Sequence, residues 1–511
     1  MREKPSAARH ASAWHHAPQQ PSSTLPMSIL VVDVGTSGVR SGVVRPNSSI
    51  DHVHFVEVLP TSPAPGFVEL DPVAIARATL EVAQHALHGA GEVQGIAVAN
   101  QRASVIVWDR RTGEPVGPGI GWQDLRTVGM CLALKEQGIP LAPNESATKL
   151  GMLLDMADPE RSRDLCFGTV DTWVLWTLSG GTLHVTDSTN AFMTGLRLAD
   201  GTGWDDRILE ALRIPERVLP EVVDSSGSVG EASVLEGSPT ICGIAGDQQA
   251  SLVGQGCTLP GLAKATFGTG AMLDCCIGHV RPAFVRRGTA GTFPICAWQR
   301  AGHITWGVEA IMLSAGACVQ WLRDDLGVID STASSDEIAA LCEDTSDVWF
   351  VPALVGMGTP VWDFGARGTF VGITLATTHS EIVRAVLEGI AHRGADLLEA
   401  AESDTGLEFD RLRVDGGMSD NSTFVAALAD AIGRPVEISS VREATTLGAA
   451  YLAGMALGIW DGEEDVAAAW NPSQVIEPTS SDVRRATNRE RWFAARERAL
   501  GTVPELSALE F

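Results

Sequence analysis

Two short turns have the residue types to hold a group rich in oxygen atoms. Gly35-Thr36-Ser37-Gly38 and Gly268-Thr269-Gly270 each sit between apolar, β-branched-rich runs. A tight turn of Gly, Thr and Ser aims backbone N–H groups and hydroxyls at a common centre, a geometry that suits phosphate. Thr36, Ser37, Gly38 and Arg40 then form one phosphate clamp, and the turn at Thr269 faces it across a cleft. Either turn alone reads equally well as a plain hairpin; the pair is the signal. Asp33 ends the run before the first turn, where a carboxylate can hold Mg²⁺ directly or through water, or simply cap the turn. A third segment runs Val414-Asp415-Gly416-Gly417-Met418-Ser419-Asp420-Asn421. A strand ending in Gly-Gly lets a ligand approach the backbone, and the helix that follows presents its N-terminus to anions or polar ligand atoms. No Walker A pattern occurs, which disfavours a P-loop NTPase.

The elements that must position these residues can be read from periodicity. Ile29 to Val34 and Val39 to Val44 form a strand pair around the first turn, and Ala263 to Ile277 repeats that unit around the second. Asp71 and Pro72 open a helix with Val73, Ile75, Ala76, Leu80, Ala83 and Leu87 on its packed side. Gly95 to Ala99 reads as a strand and Asp171 to Leu178 as a helix. Further on, helices are predicted over Val308 to Asp325, His379 to Glu402, Asn421 to Ile432 and Ala444 to Leu457, with a strand at Arg411 to Val414. This is α/β organisation in two related domains around a cleft. The boundary is expected between Gly254 and Pro260, giving domains over 28–256 and 257–460. Residues 461–511, including the acidic stretch Asp461 to Asp465, read as a peripheral segment.

Composition narrows the class. The chain has 511 residues, 45% hydrophobic and 20% charged, with a net charge of −26. Such a surface repels nucleic-acid backbones and anionic lipid, so neither nucleic acid nor a stable membrane association is expected. Apolar runs fall far short of the ~20 residues that span a bilayer. The nine cysteines have no metal-ligand spacing, so a reduced, cytoplasmic enzyme is expected. Residues 1–27 are rich in Ser, Pro, Gln, Ala and His. They read as a disordered extension, or as residues upstream of a true start at Met27. A metal site at His10, His15 and His16 is the minor alternative.

The three ligand-facing segments, in this order, resemble the FGGY carbohydrate kinases, a fold related to actin and the sugar kinases, with glycerol kinases the nearest likeness. The resemblance runs from about Ser28 to Trp460 and rests on several collinear strings. Among them are NQRASVIVWDRRTG from Asn100, WQDLRT from Trp122, SATKL from Ser146, HVTDSTNA from His184, GDQQASLVGQGC from Gly246 and EATTLGAAYLAG from Glu443. It implies two actin-like, ribonuclease-H-like domains and an ATP- and Mg²⁺-dependent kinase that phosphorylates a hydroxyl of glycerol or a related polyol. Asp247 then matches the base that receives the acceptor proton, and Arg102 and Gln248 match acceptor contacts. Thr36, Ser37, Gly38 and Thr269 match phosphate contacts; Gly316, Gln320, Gly417 and Asn421 match further nucleotide contacts. The implied partners are a small polyol or sugar and, for the chain itself, a homodimer or homotetramer.

Three positions depart from the glycerol kinase pattern. Ala103 stands where a Glu follows Gln-Arg, Asn144 replaces an aromatic residue before SATKL, and Met272 replaces a Phe. Trp122 remains to pack on a carbon chain, and Asn144 or Glu145 is expected to supply the lost polar contact to a longer polyol or sugar. The stretch Glu236 to Gly243 has no basic residue, so a sugar-phosphate feedback site is not expected. Two other classes stay open: a nucleotide-binding sensor without turnover, and an actin-like or chaperone-like ATPase acting on protein.

Overall fold

The computed structural model describes residues 28–508; the expectations for the N-terminal extension and its histidines lie outside them. The first half is a three-stranded antiparallel meander continued by two parallel strands, and the second varies this plan with four antiparallel strands. In the first half β1 (Ile29–Val34), β2 (Gly38–Val44) and β3 (Ile50–Glu57) form the meander. Helix α1 (Pro72–Leu87) then leads to β4 (Gly95–Asn100), parallel to β1. Strand β5 (Ser226–Glu231) is followed by β6 (Thr240–Gly246), parallel to β4, and by helix α2 (Asp247–Gly254). The second half opens with β7 (Ala263–Phe267), β8 (Ala271–Gly278), β9 (Phe293–Arg300) and β10 (His303–Met312). Helices α3 (Gly316–Asp324) and α4 (His379–Thr405) precede β11 (Leu412–Asp415), parallel to β7. Then come α5 (Ser422–Ile432), β12 (Val436–Ile438), α6 (Ala444–Leu457), β13 (Gln474–Ile476) and α7 (Asp482–Glu497).

All the labelled strands lie in one sheet ordered β13-β12-β11-β7-β8-β10-β9-β5-β6-β4-β1-β2-β3. The halves meet in it at β5 and β9, whose ladder is the single pair Ser226–Arg300. A cut between Gly254 and Pro260 separates the two meanders but not the layers, because α6 returns to pack on α2, β6, β4 and β1. Glycine makes that crossing close: a Cβ on Gly448 would stand 1.7 Å from the Ala250 carbonyl oxygen, and one on Gly254 1.9 Å from that of Ala444.

Local chemistry explains the helix starts. Asp71 caps α1 by accepting from the Val73 and Ala74 N–H groups, with Pro72 in the first turn. The packed side of α1 is Ile75, Ala78, Val82, Ala83 and Ala86, while Val73, expected among them, is exposed. A larger correction concerns Val308 to Asp325, expected as one helix. It is the end of β10, a break at 313–315, and α3. The stretch is rich in good helix formers, but Trp306, Val308, Ala310 and Met312 alternate into the core, and pairing with β8 and β9 settles the conformation.

The segment after Trp460, expected to be peripheral, is docked. Trp492 of α7 is fully buried, stacks on His392 of α4 and donates to the Asp396 carboxylate. Arg489 reaches Asp396 and Glu399 at 2.6 and 2.7 Å. Polar partners make this burial tolerable, since a lone buried carboxylate would cost several kcal/mol. Eight of the nine cysteine side chains are buried, Cys342 being half-buried. No helix among the described residues is long and apolar enough to cross a membrane.

Candidate active site

The first turn is the β1–β2 hairpin, closed by Gly35 N–H donating to Gly38 O at 3.0 Å. The hydroxyls of Thr36 and Ser37 are partly or fully exposed. Packing alone requires glycine at Gly38, because a Cβ would meet the Val56 carbonyl oxygen at 2.5 Å and the Phe55 ring at 2.7 Å. Arg40 lies two residues into β2, opposite Asp33 on β1. Its guanidinium is ion-paired with Glu443, just before α6, so it ties the hairpin to that helix besides bordering the turn. Burial pushes the Asp33 carboxyl up to about 7; the nearby Asp247 charge adds to the rise and Arg40 opposes it.

The second turn is the β7–β8 hairpin, stitched to the start of α3. Ala315 N–H donates to Thr269 O at 2.8 Å and Gly316 N–H to Gly268 O at 2.9 Å. Gly316 has to be glycine, because a Cβ would stand 2.6 Å from the Gly268 carbonyl oxygen. Gln320 is one turn further along α3 and exposed. The Gly416-Gly417 segment joins the same wall, with the Met418 side chain 3.7 Å from the Cβ position of Gly316. Gly416 carries the conformational demand, with φ of 88° and the Phe267 backbone against it, while Gly417 faces open space. Asn421 caps α5 through the Phe424 N–H and donates to Ser335. Three segments far apart in the chain thus make one surface of exposed backbone and polar side chains.

The polar end of the first half is built where β4 and β6 terminate. Asp247 is the first residue of α2, accepts from the Gln248 N–H at 2.8 Å, and has Arg102 Nε 3.6 Å away. Its side chain is 32% exposed, so it is open to solvent on one side. Burial on the other side moves its carboxyl above the ordinary range, and Arg102 and Lys264 limit the rise. Gln248 accepts from Lys264 Nζ at 2.9 Å. Gln101 links this end to the first turn, its N–H donating to Val34 O and its amide to Gly35 O.

Ala103 is held in a tight turn with φ of 60°, spanned by Ser104 N–H donating to Arg102 O. A non-glycine residue with positive φ in a reverse turn is strained, and such strain persists where surrounding bonds fix it. Here the Ser146 hydroxyl holds the Ala103 carbonyl and the Ser104 hydroxyl accepts the Trp122 N–H. The Trp122 backbone is therefore held on both sides, with Lys149 Nζ on its carbonyl at 3.1 Å. Met272 lies on β8 opposite Thr266 and is partly buried. Asn144 is exposed, and the neighbouring Glu145 is engaged by the Ala142 N–H at 2.7 Å and by Arg286 at 3.6 Å.

Sequence reasoning missed Lys264, Asp274 and Glu309, buried cross-strand neighbours on β7, β8 and β10. Their signal was one charged residue at alternate positions of otherwise apolar strands. Among the described residues no group of three His, Cys, Asp or Glu side chains converges as a metal cage.

The two halves follow related plans, each opening on a glycine-rich hairpin, with the Asp247–Arg102 pair where β4 and β6 end. The N-terminal domain of the FGGY family of carbohydrate kinases matches residues 28–254 and its C-terminal domain residues 281–457, and the chain belongs to that family. It is 40% identical over 493 residues to glycerol kinase 2 of Thermotoga maritima, covering 93% of this chain and 99% of that one. Against the glycerol kinase of Deinococcus radiodurans the identity is 40% over 491 residues, covering 92% and 97%. The crystal structure of Plasmodium falciparum glycerol kinase with ADP superposes with a TM-score of 0.86 at 29% identity, covering 93% of this chain and 98% of that one. The chain is therefore an ATP-dependent carbohydrate kinase, and its acceptor is a small carbohydrate or polyol.

Proposed function

We propose that the acceptor is glycerol or a closely related polyol, phosphorylated on a terminal hydroxyl to give, with glycerol, glycerol 3-phosphate and ADP. The observation that carries this reading is the pair Asp247–Arg102, a carboxylate of raised proton affinity and a guanidinium 3.6 Å apart at the cleft edge. Arg102 and Gln248 hold acceptor hydroxyls, and Trp122 packs on the carbon chain. Asp247 takes the hydroxyl proton as the oxygen bonds to the γ-phosphorus and the bond to the ADP oxygen breaks. A positioned base of this kind contributes about 10²–10⁴-fold. Thr36, Ser37 and Thr269 bind phosphate oxygens from opposite walls, with Gly316, Gln320, Gly417 and Asn421 toward the nucleoside.

Mg²⁺ fits this arrangement. Asp33 is a carboxylate held at high proton affinity beside Asp247, and a cation would relieve that repulsion. Asp33 is the protein carboxylate that would lie nearest an ion carried in on the phosphates and water. Such an ion would neutralise charge developing on the phosphates.

One observation favours a longer acceptor. Ala103 stands beside Arg102 where a carboxylate would accept hydroxyl bonds, and the exposed Asn144 is free to meet a longer polyol or sugar instead. A site that loses a hydroxyl partner discriminates less against analogues. The test is ADP release with glycerol, erythritol, dihydroxyacetone, ribitol, xylulose and ribulose. Glycerol as the best acceptor supports the first reading, a four- or five-carbon acceptor supports the second, and stimulation by none sinks both. Asp247→Asn is expected to lower kcat by about 10²–10⁴-fold with nucleotide affinity nearly unchanged. Unchanged turnover removes Asp247 from the mechanism.

A further inference from the structure

The reaction as described makes no direct use of Asp274 and Glu309. Register places Asp274 of β8 directly between Lys264 on β7 and Glu309 on β10. Lys264 and Asp274 are completely buried and Glu309 nearly so. Lys264 Nζ lies 2.8 Å from Asp274 Oδ2, and Arg102 Nη2 lies 2.8 Å from Glu309 Oε2. Even so, neither oxygen of Asp274 has an aligned hydrogen-bond donor among the described residues, and Glu309 Oε2 meets only the Arg102 guanidinium.

Two ionised carboxylates facing each other out of water are both acceptors and both negative, a doubly unfavourable arrangement. A single proton held between them supplies the missing donor and removes one charge. The charge count agrees. Arg102 and Lys264 bring two positive charges, against three negative ones if Asp247, Asp274 and Glu309 are all ionised. With one proton on the pair the cluster is neutral. Three other titratable groups face the cluster. Burial raises the Asp415 carboxyl of β11 and pushes up the thiols of Cys257 and Cys275. Burial likewise carries Glu309 up to about 7, with Arg102 opposing and Asp274 adding to the rise.

We propose that Asp274 is a positioning residue for the acceptor: by sharing one proton with Glu309 it keeps a single negative charge behind Arg102, leaving the guanidinium in reach of Asp247 and an incoming hydroxyl. When that proton is lost, two carboxylates draw Arg102 toward the sheet and acceptor binding weakens. The inference rests on the acceptor-binding role of Arg102 given above.

Infrared titration of the nucleotide-free protein reads the pair without any catalysis. Wild type is expected to lose, as pH rises through neutrality, a protonated-carboxyl component that both Asp274→Asn and Glu309→Gln lack. In kinetics at saturating nucleotide, the wild-type acceptor KM is expected to rise about tenfold between about pH 6 and about pH 8.5, a change of about 1.4 kcal/mol, at nearly constant kcat. Asp274→Asn is expected to give a flat KM profile; should that variant not fold, Glu309→Gln serves the infrared arm. A component missing from wild type, or retained in both variants, overturns the shared proton whatever the acceptor is. A flat wild-type KM profile with the component present overturns the positioning role of Asp274, while the acceptor panel tests the substrate separately.

Discussion

At the scale of single residues the cleft is a contest between burial and charge. Asp33 is the clearest case, since its carboxyl is carried up to about 7 by burial and by Asp247. A carboxyl whose proton affinity is higher folded than unfolded costs stability once both states are ionised. The native state therefore gains relative stability as pH falls from about 7 toward 4. In metal- and nucleotide-free protein, Asp33→Asn is expected to stabilise by roughly 2–4 kcal/mol at about pH 8, with the gain vanishing near about pH 4, in urea unfolding at both values. Lys264 runs the other way. Breaking its fully buried pair with Asp274 leaves a carboxylate without its cation, so Lys264→Met is expected to destabilise by about 3–5 kcal/mol near neutral pH. The hydroxyl-bearing turns stood out by residue type, whereas Asp247 and the gap at Ala103 stood out only against the family resemblance. Asp274 and Glu309 were not, since one acid inside an apolar strand gains meaning only when its cross-strand neighbour is known.

At the scale of elements, what was legible depended on whether local pattern and tertiary contacts agree. Helices α1, α5 and α6 carry their own caps or glycine stops, so their limits followed from the chain. Strand β10 fails that test: helix-forming residues over Val308 to Met312 are overruled by pairing on both sides. The tightest element contact is α2 with α6, where a methyl group on Gly448 would overlap the Ala250 carbonyl. Gly448→Ala is expected to cost about 1–3 kcal/mol or more in stability, because neither helix backbone can yield without moving Asp247 or Glu443. At the second turn, Gly316→Ala drives a methyl against Gly268 O. Nucleotide Kd is expected to rise about tenfold, equivalent to 1.4 kcal/mol, with acceptor KM little changed, in calorimetric titration beside steady-state assays.

At the scale of the whole molecule, the duplicated half was readable from the two hairpins, whereas the return of α6 and the docking of α7 were not. Both depend on contacts far apart in the chain, such as Trp492 with Asp396 of α4, 96 residues away. Trp492→Ala is expected to lower stability by about 3–5 kcal/mol, seen as an earlier unfolding midpoint in urea, while the acceptor profile stays the same. The burial of the cysteines carries a practical corollary. With eight sulfur atoms shut inside the folded chain and only Cys342 near its surface, a thiol-reactive dye should attach quickly at one place and reach the rest only as the protein opens. The native sequence thus comes with its own single-point reporter for fluorescence work, with no need for a cysteine-free background.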